Sequence, residues 1–341
     1  MRGVFITGAA GFIGSYTAEE FINRNWHVTA LIHKRDSARL TRLKETGHIS
    51  PVKGDITNFD SLNNILMSVK DNIDVIVHCA GRASDVGWKR EFRQTNLDSV
   101  KHLVKLTKSL NIRRFVFVSS TDVYGLRDFN GQAEDELPLK AYPRNPYPEF
   151  KILAEDFIRK ELPAEQFSIL RPAQVWGVGD TTLTTRIVDF LRWSPWIIHF
   201  GRWKGKNRWP LAHVRNVATA AYLAAVTPES AGRAINVVDN EQTSIDEFYR
   251  ILAGIYFPQK KLKTIILPFW SGFALGAAVS GISNLFNLDR PFIDPSLYAL
   301  YAVSRNLDFS NQTLRHLAAT GGFPLVTREE GLHELKRGTT R

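Results

Sequence analysis

The chain has 341 residues, 44% of them hydrophobic, enough for one large core with an appended lobe rather than a small stapled fold. Its one cysteine, Cys79, excludes an intramolecular disulfide and a cysteine-ligated zinc site, and fits a cytoplasmic protein. The formal charge of +10 is scattered and no nucleic-acid-binding motif accompanies it, so anionic cofactors or lipid are expected before DNA or RNA.

The chain opens on a short apolar run, Gly3-Val4-Phe5-Ile6, too short for a secretory signal. It leads into Thr7-Gly8-Ala9-Ala10-Gly11-Phe12-Ile13-Gly14 and a predicted helix from Ser15 to Arg24. Gly8 permits the tight turn, Gly11 leaves room for a pyrophosphate, and Gly14 lets helix and strand pack closely. A helix N-terminus then faces an anion, so this strand, turn and helix predict a dinucleotide site. Val28-Thr29-Ala30-Leu31-Ile32 reads as a second strand. The next residues, His33, Lys34 and Arg35, are basic where an NAD-selective site carries an acid. That favours the 2′-phosphate of NADP(H), with NAD(H) as the alternative. A third strand ends at Gly54-Asp55-Ile56, and 59–69 has helical spacing. Asp74-Val75-Ile76-Val77-His78 is a buried fourth strand leading to Cys79-Ala80-Gly81. No second ligand at metal spacing accompanies His78, which reads as a packed strand-end residue, and no metal is expected. A helix over 95–110 and a fifth strand, Arg114-Phe115-Val116-Phe117-Val118, complete an alternation that predicts a doubly wound parallel α/β sheet.

The fifth strand ends in hydroxyls, Ser119-Ser120-Thr121-Asp122-Val123-Tyr124-Gly125. A helix then begins at Tyr147-Pro148-Glu149-Phe150-Lys151, with Tyr147 and Lys151 four residues apart on one face. A cation beside a phenol lowers its pKa and makes it a usable acid/base. With a serine near the reacting oxygen, the set suits hydride transfer at a carbinol or carbonyl carbon. Ser119 reads as a strand-end hydroxyl satisfying backbone groups.

The order of these motifs, with Asn96, Leu170-Arg171-Pro172 and His213-Val214, resembles the extended short-chain dehydrogenases/reductases of the epimerase/dehydratase group, over about the first two-thirds of the chain. The resemblance implies that Ser120 orients the substrate oxygen and that Tyr147 is the acid/base. Lys151 would hold the nicotinamide ribose and lower the pKa of Tyr147. Asp55 and Ile56 would border the adenine, and Ala80 and Gly81 the pyrophosphate side. Asn96, Tyr147 and Pro172 would complete the cofactor's surroundings, Asn96 in a structural role.

After Pro172 the run Ala173-Gln174-Val175-Trp176-Gly177-Val178-Gly179-Asp180 has Gln174 where sugar-nucleotide members commonly carry asparagine. It is closer in character to 3β-hydroxysteroid and sterol-4-carboxylate dehydrogenases, which implies a bulky apolar substrate, sterol-like or a β-keto or hydroxy acid. A sugar-nucleotide epimerase, dehydratase or reductase, or a non-catalytic dinucleotide sensor, is the alternative. Residues 190–210 mix tryptophans with arginines and lysines, as in an apolar substrate mouth, a membrane rim or ordinary packing. Residues 264–288 hold no charge over 25 positions, with Lys260, Lys261 and Lys263 before them. Glycines, asparagines and Pro268 make this a mediocre membrane span, better read as an interfacial or lid segment or a buried helix. Peripheral membrane contact through 264–288 and a homodimer follow as expectations. Residues 1–172, rejoined by 211–240, are expected to form the cofactor domain, and 173–335 mainly the substrate lobe.

Overall fold

The structure, a computed structural model, describes residues 2–34 and 36–339. The first part alternates as β1 (Gly3–Thr7), α1 (Phe12–Asn23), β2 (His27–Ile32), α2 (Ala38–Lys44), β3 (Ile49–Lys53), α3 (Phe59–Val69), β4 (Val75–His78), α4 (Lys89–Arg93), α5 (Ser99–Ser109), β5 (Arg114–Val118), α6 (Pro146–Glu161) and β6 (Phe167–Pro172). There follow β7 (Gln174–Trp176), α7 (Leu183–Trp193), β8 (Trp196–Phe200), β9 (Leu211–His213), α8 (Val214–Val226), β10 (Ala234–Val237) and α9 (Ile245–Tyr256). The chain closes with β11 (Lys263–Leu267), α10 (Phe269–Leu285), α11 (Leu297–Ser304), α12 (Gln312–Gly321) and α13 (Arg328–Thr339).

The central sheet has seven strands in the order β10-β6-β5-β4-β1-β2-β3, all paired in parallel. This is the doubly wound α/β sheet expected from the alternation, and its order reverses between β1 and β4. β1, β4, β5 and β6 are buried along their whole length; the first three are apolar runs but for a residue at one end, whereas β6 buries Ser168 and Arg171 as well. Helices α1 and α8 pack together on one face, while α3, α5 and α6 cover the other.

Later segments make two small parallel sheets, β7 with β9 and β8 with β11. The uncharged run 264–288 is therefore not one helix: its start lies in β11, and α10 begins after Pro268. Pro268 sits at the N-cap of α10, a position where its missing N–H costs nothing. Among the described residues no helix is long and apolar enough to cross a membrane. The expected helix over 95–110 is also subdivided, because Gln94–Asp98 adopts π geometry between α4 and α5. That places Asn96 in a local bulge, of the kind frequent at functional sites.

Candidate active site

The glycine turn does what its spacing predicts. Gly8 takes φ +66°, and the Gly11 N–H donates to its carbonyl at 2.8 Å. A Cβ on Gly14 would lie 2.1 Å from the Gly8 oxygen, so only glycine lets α1 start this close to β1. A Cβ on Gly11 would meet only that oxygen, at 3.1 Å, and otherwise project into the open cradle. Phe12 and Ile13 form the first turn of α1, where backbone N–H groups have no helical partner. This cradle fits the pyrophosphate of a dinucleotide.

At the β2 end, His33 and Lys34 are exposed, and Arg35 lies outside the described residues. The His33 Nε2 is 3.7 Å from Asp55 Oδ2, which joins the two loops expected to border the adenosine. Asp55 also accepts from the Thr57 N–H and hydroxyl, both at 2.8 Å, while Ile56 follows half-buried. Asp36, the first acid after β2, is turned to its own helix, held by the Ser37 N–H and by Lys44.

Beyond β4, a Cβ on Gly81 would sit 3.1 Å from Asn96 Oδ1 and 3.6 Å from Lys151 Nζ, so these three residues converge. The Asn96 amide is used on the Arg82 backbone, accepting from its N–H at 2.7 Å and donating to its carbonyl at 2.9 Å. Asn96 thus shapes the loop carrying Ala80 and Gly81. Pro172 closes β6, paired with Val237, at the same end of the sheet.

Local chemistry fixes Tyr147. Asn145 caps α6, its side chain accepting the Tyr147 N–H at 2.8 Å, and Pro146 occupies the first turn. The Tyr147 hydroxyl faces the Ser120 side chain, and Ser120 Oγ accepts the Asp122 N–H at 3.1 Å. Lys151, one turn further on, donates from Nζ to the Val118 carbonyl at 2.7 Å and lies 6.0 Å from the centre of the Tyr147 ring. Ser120, Tyr147 and Lys151 therefore meet at the end of β5.

The electrostatics depart from the sequence expectation. Burial, then the nearby Asp122 carboxylate, pushes the Tyr147 phenol above its ordinary pKa, against the hydrogen bond from Ser120. Lys151 does not draw it down: burial depresses the lysine itself to about 8, and its ammonium is engaged by Val118. Ser119 differs too. Its hydroxyl donates to Glu155 Oε1 at 2.6 Å, and Glu155 holds Arg171 through Nε at 3.1 Å and Nη2 at 2.6 Å. Arg171 in turn donates to the Tyr124 hydroxyl at 2.7 Å.

Two residues enter the site without having been singled out from the sequence. Asp122 faces Tyr147, and Tyr298 of α11 faces Asp122. The Asp122 carboxyl is visible in the hydroxyl-rich run after β5. Nothing in the sequence ties Tyr298, more than half a chain away, to that position. Among the described residues no three histidine, cysteine, aspartate or glutamate side chains gather as a metal site would require.

The sequence matches the NAD dependent epimerase/dehydratase family over residues 4–238, a stretch that ends with β10. It is 24% identical over 337 residues to the 4-hydroxy-2-methyl-3-oxo-4-farnesyl-3,4-dihydroquinoline-1-oxide ketoreductase of Stigmatella aurantiaca, covering 98% of this chain and 95% of that one. It is 28% identical over 237 residues to the decarboxylating sterol-4-alpha-carboxylate 3-dehydrogenase of Saccharomyces cerevisiae, covering 65% and 64%. The crystal structure of dTDP-glucose 4,6-dehydratase from Bacillus anthracis in complex with NAD superposes with a TM-score of 0.74 over 100% of this chain and 97% of that chain, a likeness of fold at 18% identity.

Proposed function

This chain belongs to the NAD dependent epimerase/dehydratase family, and we propose that within it the protein is an oxidoreductase that interconverts a ketone and a secondary alcohol on a bulky apolar molecule. The observation that carries this reading is the meeting of Tyr147 and Ser120 hydroxyls at the end of β5, with Lys151 one helical turn away. The dinucleotide, when bound, supplies or accepts the hydride. Ser120 Oγ donates a hydrogen bond to the carbonyl oxygen and holds it while charge develops. Tyr147 gives its proton to that oxygen. A phenol held protonated by burial and by Asp122 has the proton that this step requires. Two relatives, by name a ketoreductase and a 3-dehydrogenase, add support. Replacing Tyr147 with Phe is expected to lower kcat by at least about 100-fold while leaving dinucleotide affinity near the parent value. Cofactor oxidation followed at 340 nm, with a separate fluorescence titration, measures both (the wavelength is about the usual nicotinamide absorbance). Retention of most turnover would remove Tyr147 from the chemistry.

For the cofactor, the reading is NADP(H). Exposed His33 and Lys34 follow β2, and Asp36 is engaged elsewhere, which supports a 2′-phosphate over a free 2′-hydroxyl. Lys34→Glu should lower kcat/KM for NADPH by about tenfold or more and spare NADH, an effect of the size expected for a charge-assisted contact. Equal loss with both cofactors, or a parent enzyme that prefers NADH, counts against NADP. The exposed apolar side of α10 supports peripheral contact with a membrane surface, and a homodimer is the competing way to cover it.

A further inference from the structure

Ketone reduction as read above makes no use of the network that holds the start of α6. Asn145, 6% exposed, is engaged at both ends of its amide: Oδ1 accepts the Tyr147 N–H at 2.8 Å, and Nδ2 donates to the Asp85 carbonyl at 3.0 Å. A buried amide whose donor and acceptor are both satisfied is held in one orientation. The cap that sets where Tyr147 leaves the first turn of α6 is therefore fixed against the backbone of the loop after β4.

That loop is fixed in turn by segments far along the chain. The Asp85 side chain, 8% exposed, takes both Nη nitrogens of Arg186 on α7, at 3.2 Å each, and the hydroxyl of Ser296, which caps α11. Arg186 also holds Asp294, with Nε at 3.0 Å. Just beyond Asp85, the Gly87 N–H donates to Asn284 Oδ1 and the Trp88 N–H to Asn287 Oδ1, both at 2.8 Å, where α10 ends. A forked arginine–carboxylate pair specifies direction as well as distance, whereas its net stability over an apolar replacement is small. What it adds here is register between two side chains 101 residues apart. Its charge is not aimed at the phenol: the carboxylate that bears on Tyr147 is Asp122, while Asp85 bears on Tyr298.

We propose that Asp85 and Arg186 are positioning residues for proton transfer: their ion pair seats the later segments on the loop after β4 and, through Asn145, holds Tyr147 where its hydroxyl reaches the substrate oxygen. This rests on the reading of the site as a ketone reductase. The network does not pass through the glycine cradle of Gly8 to Gly14, so dinucleotide affinity is expected to be independent of it.

The test uses the full chain with NADPH and two bulky apolar ketones, cyclododecanone and cyclopentadecanone. Arg186→Gln and Asp85→Asn should each lower kcat by about tenfold or more, the scale of a small misplacement of a reacting group, with dinucleotide affinity within about twofold of the parent. The solvent deuterium isotope effect on kcat should rise in both, because proton transfer is the step slowed; a loss of stability alone does not move it. Asn145→Ser keeps a capping oxygen but is too short to reach Asp85. It should lower kcat in the same way, and adding Arg186→Gln to it should cost less than about twofold more, since both act through one link. Multiplying losses in that double variant, an unmoved isotope effect, or unchanged turnover in the folded single variants would overturn the proposal and leave the reductase reading intact. Absence of turnover of both ketones by the parent would instead bring down the reductase reading, and this proposal with it. Thermal midpoints confirm folding. Should Arg186→Gln or Asp85→Asn fail to fold, Arg186→Lys, which keeps the charge and loses the fork, decides by the same readouts.

Discussion

Glu155 has no exposed surface, yet it is paired with an arginine that is 3% exposed. Its two oxygens take hydrogen bonds from Ser119 and from two nitrogens of Arg171, and Arg171 goes on to Tyr124. Such a network gives little net stability against an apolar replacement, but losing one member strands the other charge in the core. Glu155→Ala should therefore lower unfolding free energy by about 3–5 kcal/mol. Ser119→Ala, which removes one neutral donor, should lower it by about 1–3 kcal/mol. Urea midpoints of the two variants check the ordering, and a Glu155→Ala protein as stable as Ser119→Ala would show the ion pair to be idle. The spacing of Tyr147 and Lys151 was legible because both lie on one helix face, and Glu155 extends that face by one more turn. Its partner was not legible, because a pairing between α6 and β6 leaves no mark on the spacing of either. The same holds for Lys151 and Tyr147: the four-residue spacing brings them close, but burial, with Asp122 beside Tyr147, sets the direction of their shifts, and neither is a property of the motif.

At the scale of the element, α10 inverts the usual helix. Gly272, Gly276, Val279 and Ser283 face inward, and a Cβ on Gly276 would come within 3.0 Å of the Leu297 backbone. The bulk points out: Trp270 is 72% exposed, Leu285 73%, and Phe273, Leu275 and Ile282 are exposed beside them. Small residues inside and large apolar ones outside leave an apolar face that lipid or a second protein surface would cover. Exposed Lys261 and Lys263 in the adjoining β11 segment complement anionic headgroups. The wild-type protein should co-sediment with vesicles containing phosphatidylserine, and a double variant, Trp270→Ser with Phe273→Ser, should bind them about tenfold more weakly; losing two aromatic anchors costs at least that. A protein that ignores vesicles and dimerises through this face would refute lipid contact in favour of self-association. The absence of charge over 264–288 announced an unusual surface. It did not announce the break at Pro268, since β11 exists only because β8, far back in the chain, lies beside it. The tryptophans of 190–210 divide in the same way: Trp209 is buried in the core, while Trp193 and Trp196 are exposed, a distinction composition does not carry.

For the whole molecule, the first five strands of the parallel sheet were readable because they alternate with helices, whereas β6, which buries Ser168 and Arg171, and the short β10 were not read as strands, and the small sheets join segments too short to show a period. His78 links that sheet to a global property. It ends β4, in the middle of the seven strands, with no exposed surface, its Nδ1 sharing a 2.6 Å hydrogen bond with Thr7 Oγ1 and its ring stacked on Phe117. Burial, then the Lys151 charge, pushes its pKa down to about 3, so the folded protein keeps it neutral. The unfolded chain binds a proton at about 6.5, the ordinary histidine value. Between these values the unfolded state holds the extra proton, so this histidine's contribution is fully present above pH 6.5 (about the unfolded value) and is lost as pH falls towards 3. Each pH unit in that window costs up to about 1.4 kcal/mol. His213, depressed to about 4 mainly by burial, adds to the loss, while Asp122, raised by burial, opposes it. The total slope is therefore a sum, and the single substitution isolates one part. His78→Asn keeps a polar partner for Thr7 and cannot titrate. Its unfolding free energy, measured by urea at pH 4.5, 5.5 and 6.5 (values chosen at about one-unit steps across the window), should fall less steeply than the parent's by up to about 1.4 kcal/mol per unit. Because protonation at the centre of the sheet requires the strands to part, the effect should appear equally in every optical probe of unfolding. Parallel pH profiles for the parent and His78→Asn would mean that the imidazole is reached by local opening instead.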